Sequence, residues 1–179
     1  MFMRSMTIIV FMLLMLASHV YSVAQERIHL GRPATPDEIN AWDLSIPPDG
    51  TGLPPGSSSP EQGAVVYAQK CQSCHGEKGV GKPNDPLVGG QGTLASPNPV
   101  RTIGSYWPYA TTVFDYIRRA MPYAQSKSLT NDEVYAVTAY LLHLNGIIGP
   151  QDVINAQTLP QVKMPNRDNF IVVYPTKPQ

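Results

Sequence analysis

The sequence predicts an all-α domain with proline-rich extensions at both ends. Three observations carry this. Three segments open with a helix-start signature, apolar residues recur at helical spacing in one of them and in the segment 109–120, and only one short run, Ile171 to Tyr174, reads as β-like. The chain holds 18 prolines and 14 glycines, so much of the remainder reads as loop and extended segment. Its 179 residues suffice for one domain of ordinary size with extensions.

Taken in order, residues 1–24 read as a secretory signal. Arg4 supplies the positive region, Thr7 to Ala17 is an apolar run, and Ser22-Val23-Ala24 offers small residues at the recognition positions, placing the cut after Ala24. The run is shorter than the ~20 apolar residues that span a bilayer, so the mature chain is expected to have no membrane span and to reside in the periplasm. Residues 25–58 form an N-terminal extension and linker. Within it Thr35-Pro36-Asp37-Glu38 signals a short helix ending near Trp42, followed by the proline- and glycine-rich stretch PPDGTGLPPGSSSP.

The core domain is placed at 59–145. Ser59 caps its first helix, with Pro60 in the first turn and Gln62 three residues on; this helix carries Val66 and Tyr67 toward the cysteines. Residues 76–105 read as a long loop, a feature that in compact domains usually wraps something or carries function. Tyr109 to Ala120 is a second helix bounded by Pro122. The third is capped by Thr130 with Glu133, stapled by Leu129 and Val134, lined by Val134, Val137, Tyr140, Leu141 and Leu144, and stopped by Asn145-Gly146. Residues 146–179 are a tail with five prolines.

Lys+Arg and Asp+Glu both number 13, which argues against nucleic acid as a partner. The two cysteines, Cys71 and Cys74, belong to Cys71-Gln72-Ser73-Cys74-His75, the C-x-x-C-H pattern of haem attachment. Two thiols at this spacing can add across the two vinyl groups of a porphyrin, and the next residue can bond iron. A thioredoxin-like dithiol needs a βαβ setting, a zinc site needs further ligands, and a plain short-loop disulfide leaves His75 without a role.

The candidate second axial ligand is Met121, which precedes Pro122 in the loop between two helices. Met164 is the alternative, and either methionine also suits an apolar filler role. His19 leaves with the signal, His29 lies in the extension, and His143 falls off the apolar stripe of its helix, at the surface. Leu87, Ile103, Phe114, Ile117, Leu129, Val137 and Leu141 are candidate pocket walls or ordinary core. Arg101, Tyr106 and Trp107 are candidate donors to the haem propionates, with packing as the other role of Trp107. With His75 and Met121 both bound, iron is six-coordinate and the chemistry is electron transfer, tuned by the thioether and the apolar pocket.

Residues 59–145 resemble class I cytochromes c, through Gly63 and Tyr67 on the first helix, CQSCH, Met121-Pro122 and the terminal helix LTNDEVYAVTAYLLHL with Tyr140. The resemblance implies that fold, three to five helices around one covalently bound haem c, with the first and last helices crossing near Gly63, Tyr67 and Tyr140. It also implies a proline carbonyl that holds the axial histidine, for which Pro86 is the counterpart. The family more often shows P-x-L-x-G, whereas here Leu87 follows Pro86 directly.

A wider likeness covers nearly all of the mature chain. GRPATPDEINAWDLSIPPDGTGLPPGSSS, IGSYWPYATTVFDYIRRAMP, AYLLHLNGI and TLPQVKMPNRDNF resemble the cytochrome subunits of sulfane dehydrogenase, of the periplasmic Sox system of thiosulfate oxidation, and of the related sulfite dehydrogenases. This likeness implies a molybdenum-cofactor dehydrogenase subunit as electron donor, a downstream cytochrome or oxidase as acceptor, and an electron-transfer subunit rather than a catalyst by itself. Some sulfane dehydrogenase cytochrome subunits carry two haem domains, whereas this chain has one C-x-x-C-H. The other function classes are a free electron shuttle to a terminal oxidase and a haem enzyme or sensor with a labile sixth ligand. A single haem domain does not require the two proline-rich arms, and partner wrapping is their expected role.

Overall fold

The computed structural model describes residues 31–171 and 173. The signal peptide, its cleavage site and His29 lie outside the described residues, as do two positions of the Ile171–Tyr174 run, of which Ile171 has no regular structure. The chain divides into two units, Met1–Trp42 and Asp43–Gln179. Among the described residues no helix is long and apolar enough to cross a membrane.

In the first unit the expected short helix forms as α1, Pro36–Trp42. The Glu38 N–H donates to Thr35 Oγ1 and the Glu38 carboxylate accepts from the Thr35 N–H, a reciprocal cap. The Arg32 guanidinium grips the same carboxylate with two bonds of 2.6 and 2.8 Å and holds its pKa down at about 2. No residue of α1 is buried.

The second unit is mainly helical, as the capping signatures require. Helix α2, Pro60–Lys70, opens on the Ser59/Gln62 capping box. A one-turn helix, α3, covers Gln72–His75. Helix α4 spans Ala110–Ala120, with Tyr109 as its extended N-terminal flank rather than its first residue. It stops at Met121 because a residue preceding proline is pushed out of the helical region, and Met121 is extended. Helix α5, Asn131–Leu144, opens on the Thr130/Glu133 box.

Helices α2 and α5 cross at Gly63. A Cβ at that position would lie 1.9 Å from the Ala136 carbonyl oxygen, so only a hydrogen fits. One turn on, the rings of Tyr67 and Tyr140 meet at 5.3 Å. Helix α4 joins on the other side, where Phe114 and Tyr135, both fully buried, pack at 4.5 Å between ring centroids. The long 76–105 loop is tied to the end of α5 by Asn145. Its amide donates to the carbonyls of Leu87 and Leu141 and its oxygen accepts from the Gly89 N–H. The residue expected only to stop a helix thus also anchors the loop.

Two segments outside the helices pack against them. The stretch from Ile46 to Ser58 is not a free linker. Ile46 is buried and its N–H donates to the buried Asp115 carboxylate; the carbonyls of Pro48 and Pro54 accept from Thr111 Oγ1 and the Tyr135 hydroxyl. Proline lacks a donor but keeps its carbonyl, so a proline-rich strap is pinned by side-chain donors of the helices beneath it. The described tail packs on its own domain as far as Asn166. Ile154, Leu159 and Met164 are buried in the same core, and Asn166 donates to the Tyr106 carbonyl. A two-residue antiparallel ladder, β1 (Ser57–Ser58) with β2 (Ile154–Asn155), joins strap and tail, an element the all-helical expectation did not contain.

Two substitutions test this packing by chemical denaturation of the isolated chain. Gly63→Ala forces α2 and α5 apart and is expected to cost about 2–3 kcal/mol or more. Leu159→Ala, in a tail packed on its own domain, is expected to cost about 2–4 kcal/mol; a tail held only by a partner would show no change.

Candidate functional site

Helix geometry assembles the site from the end of α2. Cys71 terminates that helix, and its carbonyl accepts from the N–H groups of Cys74 and His75 at 3.1 and 3.0 Å. This single turn places Cys71, Cys74 and His75 on one face, because residues three and four apart on a helix are neighbours. Gly76 ends the turn at φ +75°, where a Cβ would strike the Gly81 carbonyl oxygen at 2.3 Å. The Tyr67 hydroxyl secures the corner by donating to the Gly76 carbonyl at 2.9 Å. Burial, with smaller contributions from Cys71 and Tyr140, pushes the Tyr67 pKa up to about 12, so it remains a donor.

His75 Nδ1 stands 3.3 Å from the Asp85 carbonyl oxygen. A carbonyl only accepts, so the bond requires the proton on Nδ1 and leaves the Nε2 lone pair available to a metal. The carbonyl is therefore that of Asp85 and not of Pro86, which does not line the cavity. The reason is register. In a P-x-L-x-G pattern the carbonyl precedes leucine by two residues, and two residues before Leu87 is Asp85; Asp85-Pro86-Leu87-Val88-Gly89 fills the pattern with aspartate in the first place.

The face of this turn borders a cavity of about 340 Å³, within the range of small-molecule and cofactor sites. Cys71, Cys74, His75 and Met121 all line it, together with Trp107. Five of the expected wall residues, Leu87, Ile103, Ile117, Val137 and Leu141, do so too. Phe114 and Leu129 do not: Phe114 turns to Tyr135, and Leu129 packs on the core. Met164 is buried among the core side chains and stands apart from the cavity, which leaves it the filler role. His143 is half-buried, with Nδ1 3.3 Å from the Ile148 carbonyl oxygen, rather than at the open surface.

Trp107 packs edge-on against Tyr116 at 5.8 Å between centroids. Arg101 and Tyr106, expected beside Trp107, are instead placed in a second hollow of about 610 Å³ between the 91–106 loop and the tail, with Arg101 over the Tyr106 ring. Sequence reasoning missed Asp85, Val113, Tyr116 and Tyr123 as lining residues. Val113, Tyr116 and Ile117 sit at i, i+3 and i+4 on α4, so helical spacing was the signal for Tyr116.

The two thiols differ in setting. Cys71 is half-buried, and burial, followed by the neighbouring Cys74, pushes its pKa up to about 11; Cys74 is exposed. Both are free. Two unpaired thiols on one helical turn, a histidine with a free Nε2 and a thioether on one largely apolar cavity form a donor set that fits haem.

Residues 58–141 match the family model described as cytochrome c oxidase, cbb3-type, subunit III. The fold is similar to a chain in the crystal structure of the sulfane dehydrogenase SoxCD from Paracoccus pantotrophus. The TM-score is 0.76 and the identity 44%, over 84% of this chain and 73% of that one. A thiosulfate dehydrogenase of Psychrobacter arcticus is 27% identical over 111 residues, 56% of this chain and 32% of the relative, so this chain spans about a third of that relative's length.

In the haem-free chain at pH 8, iodoacetamide is expected to label Cys74 well before Cys71, since below pH ~11 Cys71 stays a protonated, shielded thiol. Peptide mass mapping over time reads the order; equal rates would contradict the assigned burial.

Proposed function

The chain belongs to the c-type cytochrome family that includes the cytochrome subunit of sulfane dehydrogenase, and from that premise we propose that it is the single-haem, electron-accepting subunit of a periplasmic, molybdenum-dependent sulfane or sulfite dehydrogenase. Its role as an electron-transfer cytochrome follows from the family. The haem site rests on one observation, that Cys71, Cys74, His75 and Met121 line a single cavity, and the partner on the likeness to the sulfane dehydrogenase chain.

Bound there, haem supplies a one-electron ferric/ferrous couple. Cys71 and Cys74 would hold it as thioethers. His75 would bind the iron through Nε2, and the Asp85 carbonyl, through Nδ1, would fix the ring orientation and raise the basicity of that nitrogen. Met121, kept extended by Pro122, would offer its thioether sulfur to the iron. Leu87, Ile103, Val137 and Leu141 would keep water from the iron and favour its less charged ferrous state. With His75 and Met121 both engaged, the site would offer no place to oxygen or a sulfur substrate, and oxidation of the substrate would fall to the partner. Thr7 to Ala17 serves the export that places the chain in the periplasm.

The chain isolated from its host is expected to carry one covalently bound haem by mass, to give a low-spin ferric spectrum with the far-red methionine-to-iron band, and to co-elute with a molybdenum protein. Met121→Ala is expected to abolish that band and lower the reduction potential, whereas Met164→Ala keeps the band. High-spin native haem would sink the two-ligand assignment, and elution without a molybdenum protein would favour a free shuttle.

A further inference from the structure

Helix α1 has the geometry of a docking element. Its shape is preset by the Thr35/Glu38 cap and by the Arg32–Glu38 ion pair, yet it buries nothing of its own. Seven residues are too few to hold a helix by propensity, so the local bonds do that work. Ile39 and Trp42, three residues apart and hence on one side, are 51% and 86% exposed. An indole left in water on a preshaped helix is an interface anchor in composition and in size. Glu38 is taken by Arg32, while Asp37 and Asp43 flank the apolar pair with no ion-pair partner among the described residues. The match to the SoxCD chain covers 84% of this chain, more than the share that lies beyond Trp42, so it reaches into this unit of a chain solved as part of a dehydrogenase.

We propose that α1 inserts Ile39 and Trp42 into an apolar groove with a basic rim on the molybdenum-cofactor chain, and so tethers the cytochrome domain to its electron donor. This rests on the partner reading given above. The association would then be divided. The tether supplies affinity, through a rigid aromatic anchor whose ordering cost is already met by the cap and the ion pair. The haem domain supplies only the electron-transfer contact.

The test uses the full holo-chain and the purified molybdenum-cofactor chain that co-elutes with it, with affinity measured by calorimetry. Trp42→Ala is expected to weaken binding roughly 30-fold, the ~2 kcal/mol of a hot-spot aromatic, while the haem spectrum and denaturation midpoint stay unchanged. Trp42→Phe recovers most of the affinity, and Asp43→Lys weakens binding at low salt and less at high salt. Unchanged affinity in Trp42→Ala, with wild-type binding intact, would overturn the proposal while leaving the partner reading in place. Failure of the wild-type chain to bind any molybdenum protein would overturn both. Self-association of the wild-type chain that is lost in Trp42→Ala would assign α1 to a second copy and overturn the proposal.

Discussion

Everything at the site is referred to one close approach, the α-carbon of Gly63 against the main chain of Ala136. Because no side chain intervenes, α2 and α5 meet at backbone distance and their register is set there. The face that starts with Gly63 continues every fourth residue with Tyr67 and Cys71. Tyr67 meets Tyr140 on the facing helix, and Cys71 opens the turn that carries Cys74 and His75 beside Val137 and Leu141. The position of the two thiols is thus a consequence of helix crossing rather than of the C-x-x-C-H turn alone. That turn supplies only the relative placement of its own three side chains.

The helices were legible because their signals are local. A reciprocal cap joins residues three apart, and helical spacing shows in eight to fourteen residues, so Thr35, Ser59 and Thr130 each marked a start that the structure keeps. The strap and the tail were not legible because what orders them is distant in sequence. Proline and glycine content reads as freedom only when donors elsewhere are ignored. The Pro54 carbonyl is held by Tyr135 and the Ile46 N–H by Asp115, contacts spanning 81 and 69 residues that leave no periodic trace. The same holds for Leu159, an isolated apolar residue in a polar stretch that nevertheless reaches the core.

At the site, the motif residues and Met121 were legible because each is tied to a local constraint, one helical turn or one proline. Asp85 was hidden because the side chain plays no part. A carbonyl is common to every residue, so only register relative to Leu87 points to it. Arg101 and Tyr106 show the reverse error: the turn of the 102–105 segment, held by Thr102 and Ser105, lies between Arg101 and Trp107, and Tyr106, next to Trp107 in sequence, lines the second hollow instead.

The ladder of Ser57–Ser58 with Ile154–Asn155 is only two residues long, but it joins the peptide that leads into the first haem-domain helix to the peptide that leaves the last. Ser58 is followed at once by the capping residue Ser59, and Ile154 is followed by the Leu159 turn. Fraying at either end therefore strips the other of its hydrogen bonds. The pair acts as a clasp between strap and tail, coupling local opening of one to that of the other.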